Sequence, residues 1–365
     1  MAFLHFDNVR IAALAGALPE HVQKVNMDPA HPRAAYIAQF VKQTGVRQRH
    51  ISITQQTATD VGYAAVVKAL ERAGWEAGSL DGLIFLTQTP DFNVGTGNAF
   101  VMHNHLGMSE DAFVFDITQG CASFPYGLSV CAALLQQPHI KRIAMVTGDA
   151  HWQKYRSRAK LLASSCFLHG EGCTALLLEN ANDSPLDISL HSDGTGYHFL
   201  YNPWGGVRHA WRKVPGILPT GEMYKGGGNY MDGMEITSFS TIRVVDSIKD
   251  FLKKQNKTVD DYDGLVLHQA NKQIVKTMAR RLKADMSKVP MTVDRLANTD
   301  GASATLTMVD AYAGSPRERL NLLVSAFGIG LSWGVVSLSI EPSVIVPMVT
   351  TSHRFDEDFL KPLEK

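Results

Sequence analysis

Residues in the two halves of this chain recur at a nearly fixed separation. Leu70, Asp81, Gly82, Leu83 and Ile84 reappear as Leu252, Asp263, Gly264, Leu265 and Val266, each 182 positions on. Thr118-Gln119-Gly120 matches Thr299-Asp300-Gly301 at an offset of 181, and Val146-Thr147 matches Val324-Ser325 at 178. An offset of half the 365 residues predicts two similar units in one chain. The expected division is a first half over 1–185 and a second over 186–345. The second half includes a Gly-, Trp- and Tyr-rich excursion at 201–232, and an exposed tail follows at 346–365.

Each half alternates short apolar runs with amphipathic stretches. Strands are predicted at Leu83–Thr87, Phe113–Ile117, Arg142–Thr147 and Thr174–Leu178, then at Leu265–His268, Leu320–Ala326 and Val335–Ile340. Helices are predicted at Thr59–Ala73, Ala122–Leu135, Thr237–Lys254, Asn271–Leu282 and Ala302–Ala313. Runs of about five apolar residues bounded by turn residues indicate strands buried on both faces. With helices between them, the pattern is a layered α/β protein.

Charge narrows the function classes. Lys plus Arg is 35 and Asp plus Glu is 35, so the formal net charge is zero. That argues against a whole-surface grip on nucleic acid or an anionic membrane. No apolar run reaches the ~18 residues of a membrane span. Met1–Asp7 lacks the basic start and apolar core of a secretion signal, so a cytoplasmic location is expected. Four cysteines (Cys121, Cys131, Cys166, Cys173) are too few for a disulfide scaffold and are expected to be thiols.

One of these thiols has a distinctive setting. In Phe113-Val-Phe-Asp-Ile-Thr-Gln-Gly-Cys121-Ala-Ser-Phe-Pro125 an apolar strand ends in a glycine turn, and Cys121 sits where a helix begins. Pro125 fits the first helical turn, where its missing N–H is no loss. The partial positive charge of a helix N-terminus favours a thiolate there, the nucleophilic form. Cys131, Cys166 and Cys173 read as packing residues.

Two further positions complete a chemical set. His268 ends the buried run Gly264-Leu-Val-Leu and precedes Gln-Ala-Asn271, a placement suited to an active-site base. Asn298 lies in Leu296-Ala-Asn-Thr-Asp-Gly-Ala-Ser303, the counterpart by the repeat of the turn holding Cys121. A nucleophile, a base and a neutral donor belong to covalent acyl transfer. His103-Asn-His105 has no third ligand at metal spacing, and His169-Gly-Glu171 falls on a turn, so neither metal nor cofactor is expected.

At this point the sequence resembles the thiolase superfamily, most closely the β-ketoacyl-acyl-carrier-protein synthase III family. The resemblance rests on Thr44-Gly-Val-Arg-Gln-Arg-His-Ile51, Gly120-Cys121-Ala122, His191-Ser-Asp-Gly194, His268-Gln-Ala-Asn271, Asn298 and Ala326-Phe-Gly-Ile-Gly-Leu-Ser-Trp-Gly334. It implies a five-layered αβαβα sandwich of two pseudo-twofold related halves, functioning as a homodimer. It also implies that Cys121 accepts the acyl group, while His268 and Asn298 hold the carbonyl of a second thioester. The backbone N–H groups of Cys121 and Ile329 would form the acyl oxyanion hole. Carrier-protein or coenzyme A thioesters are the implied substrates.

This sequence departs from the family pattern in ways that bear on substrate. The family has glycine where Ile329 stands. Gln39 and Gln43 replace the Trp and Arg of members that use coenzyme A. Gly95 replaces a bulky residue that closes the acyl pocket from the dimer partner, which suggests a longer or branched chain and specialised metabolism. Lys272, Lys276 and Arg280 fall at i, i+4 and i+8 beside the presumed entrance, a stripe suited to an acidic carrier protein. Competing readings are acyl transfer to an alcohol or amine on the same fold, a non-catalytic partner subunit, and a cysteine hydrolase with the order Cys, His, Asn.

Overall fold

The computed structural model describes residues 2–52, 55–92, 95–151, 165–182, 184–202, 216–217, 223–224 and 230–356. Most of the excursion expected at 201–232 lies outside the described residues, as do 357–365 and the side chain of Cys166.

Two sheets organise the chain. One runs in the order Val349–Thr351, Val9–Pro19, Gly172–Asn180, Arg142–Asp149, Gly82–Thr87, Phe113–Thr118. The other runs Ala2–Phe6, Leu186–Ser192, Ser332–Ile340, Leu320–Gly328, Gly264–Leu267. Every apolar run predicted as a strand is one, and alternation explains why each run is apolar throughout. Ile84 and Leu86 face inward with Phe124 and Leu128 of the helix Ser123–Leu134, while Leu83 and Phe85 face outward onto the helix Ala58–Ala73. In the second sheet Leu322 and Val324 face inward, and Leu323 faces an outer layer built from Val245–Lys254 and Lys272–Arg281.

Ser123–Leu134 and Ser303–Tyr312 therefore lie between the sheets, with further helices on both outer faces. The layers read αβαβα, the architecture the resemblance implied.

The repeated residues have matching work. Asp81 accepts the backbone N–H of Lys141 at 2.6 Å and of Arg142 at 2.8 Å, tying its strand to the neighbouring one. Asp263 does the same for Asn321 N–H at 2.8 Å. The two helix-opening turns meet at the centre: a Cβ on Gly301 would lie 2.8 Å from Ser123 Oγ and 3.3 Å from the carbonyl oxygen of Gly120. That contact brings residues about 180 positions apart to one place.

The chain ends do not respect the expected boundaries. Ala2–Phe6 pairs with Leu186–Ser192 in the second sheet. The exposed tail expected from 346 is corrected in its first part: Val349–Thr351 pairs parallel to Ala17–Pro19 in the first sheet. Phe355 N–H donates to Asp60 at 2.8 Å, and the Phe355 ring stacks on His105 with centroids 3.6 Å apart. Three β-branched residues in the strand and the Phe355 ring help dock this segment, and Gln56 Nε2 donates to Thr351 O and His353 O. Among the described residues no helix is long and apolar enough to cross a membrane.

Candidate active site

Cys121 opens the site from the turn ahead of Ser123–Leu134, with Pro125 in the first turn as expected. It is 5% exposed. The thiolate expectation is corrected here. Burial pushes the Cys121 thiol well above its ordinary range, and the nearby Asp300 and Asp149 carboxylates push the same way. The charge at a helix end is small and lies in the first turn alone, so it loses to burial plus two anions. Cys131 and Cys173 are buried packing thiols, as read from the sequence.

His268 follows the strand Gly264–Leu267, its N–H bonded to Ser325 O at 2.8 Å. Nδ1 lies 2.5 Å from Ser303 Oγ, and the ring meets Phe327 edge-on at 5.1 Å. Ser303 Oγ already accepts Gln269 N–H at 3.2 Å, so it can give its own proton to Nδ1. That tautomer leaves Nε2–H as the free donor. Burial lowers the His268 pKa to about 4, so the ring is neutral at neutral pH.

A stability consequence follows. Above about pH 6.5 the ring is neutral in both folded and unfolded chains. As pH falls from 6.5 towards 4, the unfolded chain takes up a proton that the buried ring refuses. Stability is therefore lost across that window, by on the order of 3 kcal/mol at its lower end. Urea unfolding at pH 7 and pH 4.5 checks this: the loss should shrink in His268→Gln, and an unchanged loss would contradict it.

Asn298 sits in a tightly held loop. Its N–H bonds Leu168 O and its carbonyl accepts Gly170 N–H, both at 2.9 Å. Its side-chain Oδ1 accepts Asp300 N–H at 3.0 Å, which leaves the amide NH2 as its donor. The flanking residues Ala297 (φ 59°) and Asp300 (φ 46°) both have left-handed φ. Such conformations in non-glycine residues cost on the order of 1–3 kcal/mol and gather at functional sites.

Sequence reasoning passed over what surrounds the sulfur. Asp300 Oδ1 lies 3.8 Å from Cys121 Sγ. The same carboxylate meets His151 Nε2 at 2.8 Å and His169 Nδ1 at 3.1 Å. Burial alone would raise the Asp300 pKa, but the two imidazoles outweigh it and hold the group well below the usual carboxylate range. Among the described residues these three are the only His, Cys, Asp or Glu group whose donor atoms all lie within 4.8 Å of one another. The imidazole–carboxylate contacts themselves account for that spacing.

Asp149 accepts from Thr87 Oγ1, Gln88 N–H, Thr89 Oγ1 and Gly301 N–H. Glu171 accepts from Ser52 N–H and His151 N–H. Asp300 stands in the repeated turn and His169 in a motif weighed only as a metal ligand, so both were visible. Nothing in the sequence placed His151 beside them.

A cavity of about 460 Å³ joins these groups, within the range of small-molecule sites. Cys121, His268, Asn298 and Ile329 all line it. Ile329 is outside the left-handed φ region, so its β-branched side chain fits the backbone there. Phe40 and Gln43 line it from the helix Ala34–Thr44, while Gln39 on that helix is exposed. Gly95 is not among the lining residues of its own chain; it is exposed, at φ 108°. Lys272, Lys276 and Arg280 are exposed on one face of the helix Lys272–Arg281, whose neighbours Asn271, Gln273 and Ile274 reach the cavity.

Comparison with known proteins shows what the chain resembles. Residues 115–194 match the family profile described as 3-oxoacyl-[acyl-carrier-protein (ACP)] synthase III, and 252–340 match its C-terminal counterpart. The chain is 33% identical over 298 residues to a β-ketoacyl-[acyl-carrier-protein] synthase III of Synechocystis sp., covering 80% of this chain and 86% of that one. It is 31% identical over 333 residues to the synthase of the same name from Xylella fastidiosa, covering 89% and 96%. A solved 3-oxoacyl-(acyl-carrier protein) synthase from Burkholderia xenovorans superposes with a TM-score of 0.84 at 26% identity, covering 96% and 99%.

Proposed function

The chain belongs to the 3-oxoacyl-[acyl-carrier-protein] synthase III family and is a condensing enzyme of that type; from that premise we propose how its residues divide the reaction. Cys121 takes the acyl group. Its sulfur attacks the carbonyl of an acyl thioester, and the carrier departs as a thiol. The backbone N–H groups of Cys121 and Ile329 stabilise the oxyanion, at about 3–4 kcal/mol each. His268, through Nε2–H, and Asn298, through its NH2, then bond the carbonyl oxygen of a second thioester. Both donors are neutral, so they stabilise an enolate without protonating it. Loss of CO2 from a malonyl thioester leaves the carbanion, which attacks the acyl carbon of acyl-Cys121; the carbon–carbon bond forms, the acyl–sulfur bond breaks, and the Cys121 sulfur leaves as a thiolate that takes up a proton from water.

The observation that carries this reading is one cavity lined by Cys121, His268, Asn298 and Ile329 together. Product analysis tests it: acyl thioester plus malonyl thioester should give a β-ketoacyl product. An ester or amide as the only product would favour acyl transfer to an alcohol or amine instead. A peptidase reading finds no support in the family membership.

Three features bear on substrate and partner. Gln39 and Gln43 offer neither an aromatic platform nor a cation for a nucleotide, which supports a carrier-bound rather than a coenzyme A donor. Gly95, brought in by a second copy in a homodimer, would leave room for a longer or branched chain in fatty acid or specialised metabolism, with the enzyme in the cytoplasm. Lys272, Lys276 and Arg280 suit an acidic carrier protein. Reversing two of these charges (K276E with R280E) should raise KM for an acyl-carrier protein by about tenfold, with kcat little changed. The effect should fade at high salt and with a simple pantetheine thioester. Equal losses for both substrates would contradict the assignment.

A further inference from the structure

We propose that Asp300, backed by His151 and His169, takes the proton from Cys121 when the thiol attacks its acyl donor. The inference rests on Cys121 being the acylated residue and adds what that step lacks, a proton acceptor. A buried thiol beside two carboxylates is protonated at rest. The hydrogen bond it makes is to Asp300 Oδ1, at 3.8 Å.

The other acids nearby are otherwise committed. Asp149 receives four donors that fix the turns around it, and Glu171 receives two backbone N–H groups. Among the described residues only Asp300 joins the sulfur to imidazoles, one of which, His169, is a quarter exposed where it lines the cavity. His268, by contrast, is engaged with Ser303 and stays neutral.

The step balances without an oxidant or metal. The S–H proton passes to Asp300 Oδ1, while His151 Nε2 and His169 Nδ1 keep the carboxyl group in place. The Sγ–acyl bond forms, the bond from the acyl carbon to the carrier sulfur breaks, and the Asp300 carboxyl group returns the proton to the departing thiolate. Asp300 touches the reacting sulfur and is a catalytic residue in this sense. His151 and His169 act through it as positioning residues. The charged and titratable groups facing the cluster are Cys121, Asp149, Glu171, His268 and, across Glu171, Arg49.

Iodoacetamide alkylation of the full-length enzyme between pH 5 and 10, read at Cys121 by peptide mapping, separates this role from plain electrostatics. Removing a carboxylate beside a thiol lowers the thiol pKa, so field effects alone predict that Asp300→Asn alkylates faster at pH 7. The proposed relay predicts the reverse. In wild type Asp300 should take the thiol proton as the sulfur attacks, sustaining reaction at pH 7, and Asp300→Asn should be at least about tenfold slower at pH 7, its rate rising only in the ordinary thiol range.

Asp300→Glu should restore part of the neutral-pH rate. His169→Gln, at the more exposed member, carries the test should Asp300→Asn fail to fold, and should also lose the neutral-pH limb. Rates at pH 7 equal to or above wild type in these variants would overturn the inference. If wild-type enzyme gives no acyl adduct at Cys121, the reading of the nucleophile fails instead.

Discussion

His268→Ala and Asn298→Ala should each leave acylation of Cys121 within about threefold of the native rate while slowing carbon–carbon bond formation about 10²–10³-fold. The reason is where the two donors sit. His268 is held by Ser303 through Nδ1, and Asn298 by Asp300 N–H through Oδ1, so each lines the cavity with one hydrogen-bearing nitrogen outside those bonds. Neither makes the contact to the sulfur, which belongs to Asp300. Rapid-quench intact mass times the acyl-enzyme, and product analysis times the second step. Equal damage to both half-reactions would assign these residues to the first thioester and contradict the division of labour proposed above.

The second large effect should come from a single methyl group. Gly328 ends the strand Leu320–Gly328, and a Cβ there would lie 2.7 Å from Cys121 Cβ and 3.1 Å from its sulfur. The strand is buried and paired along its whole length with Ser332–Ile340, so it has little room to move away. Gly328→Ala should therefore displace Cys121 rather than the strand. Overpacking of this kind costs about 1–3 kcal/mol of stability. A nucleophile misplaced by about 1 Å loses on the order of 10²-fold in rate. Gly194→Ala, where a Cβ would meet nothing within 4 Å, should change stability by less than about 0.5 kcal/mol. Acylation by Gly328→Ala at the native rate would show that the sulfur does not need its present position.

The sequence carried the layers well because their signal is local. Gly82–Thr87 and Gly264–Leu267 read as strands since each must be apolar on both faces. Their repeat was legible since Asp81 and Asp263 make equivalent bonds to neighbouring strands. Val9–Pro19 and Leu186–Ser192 do not stand out in the sequence: the first is rich in alanine, the second mixes Asp, Ser and His into its run. Alanine fits beneath packed helices without announcing a strand.

In the site, Cys121, His268 and Asn298 stood at strand ends and turns, where residue type and position signal chemistry together. The Asp300–His151–His169 cluster did not, because its members meet only after the two halves close against each other. The thiol's protonation was misread for a related reason. A helix end is visible in sequence, whereas the burial and the two carboxylates that outweigh it are visible only in three dimensions.

The most direct test of the whole account is peptide mapping of the enzyme after brief incubation with a panel of acyl-carrier-protein and coenzyme A thioesters. The account predicts an acyl mass on the peptide containing Cys121, lost in Cys121→Ala and discharged into a β-ketoacyl product on adding a malonyl thioester. Carbon–carbon bond formation by enzyme whose Cys121 peptide never carries an acyl group would contradict it.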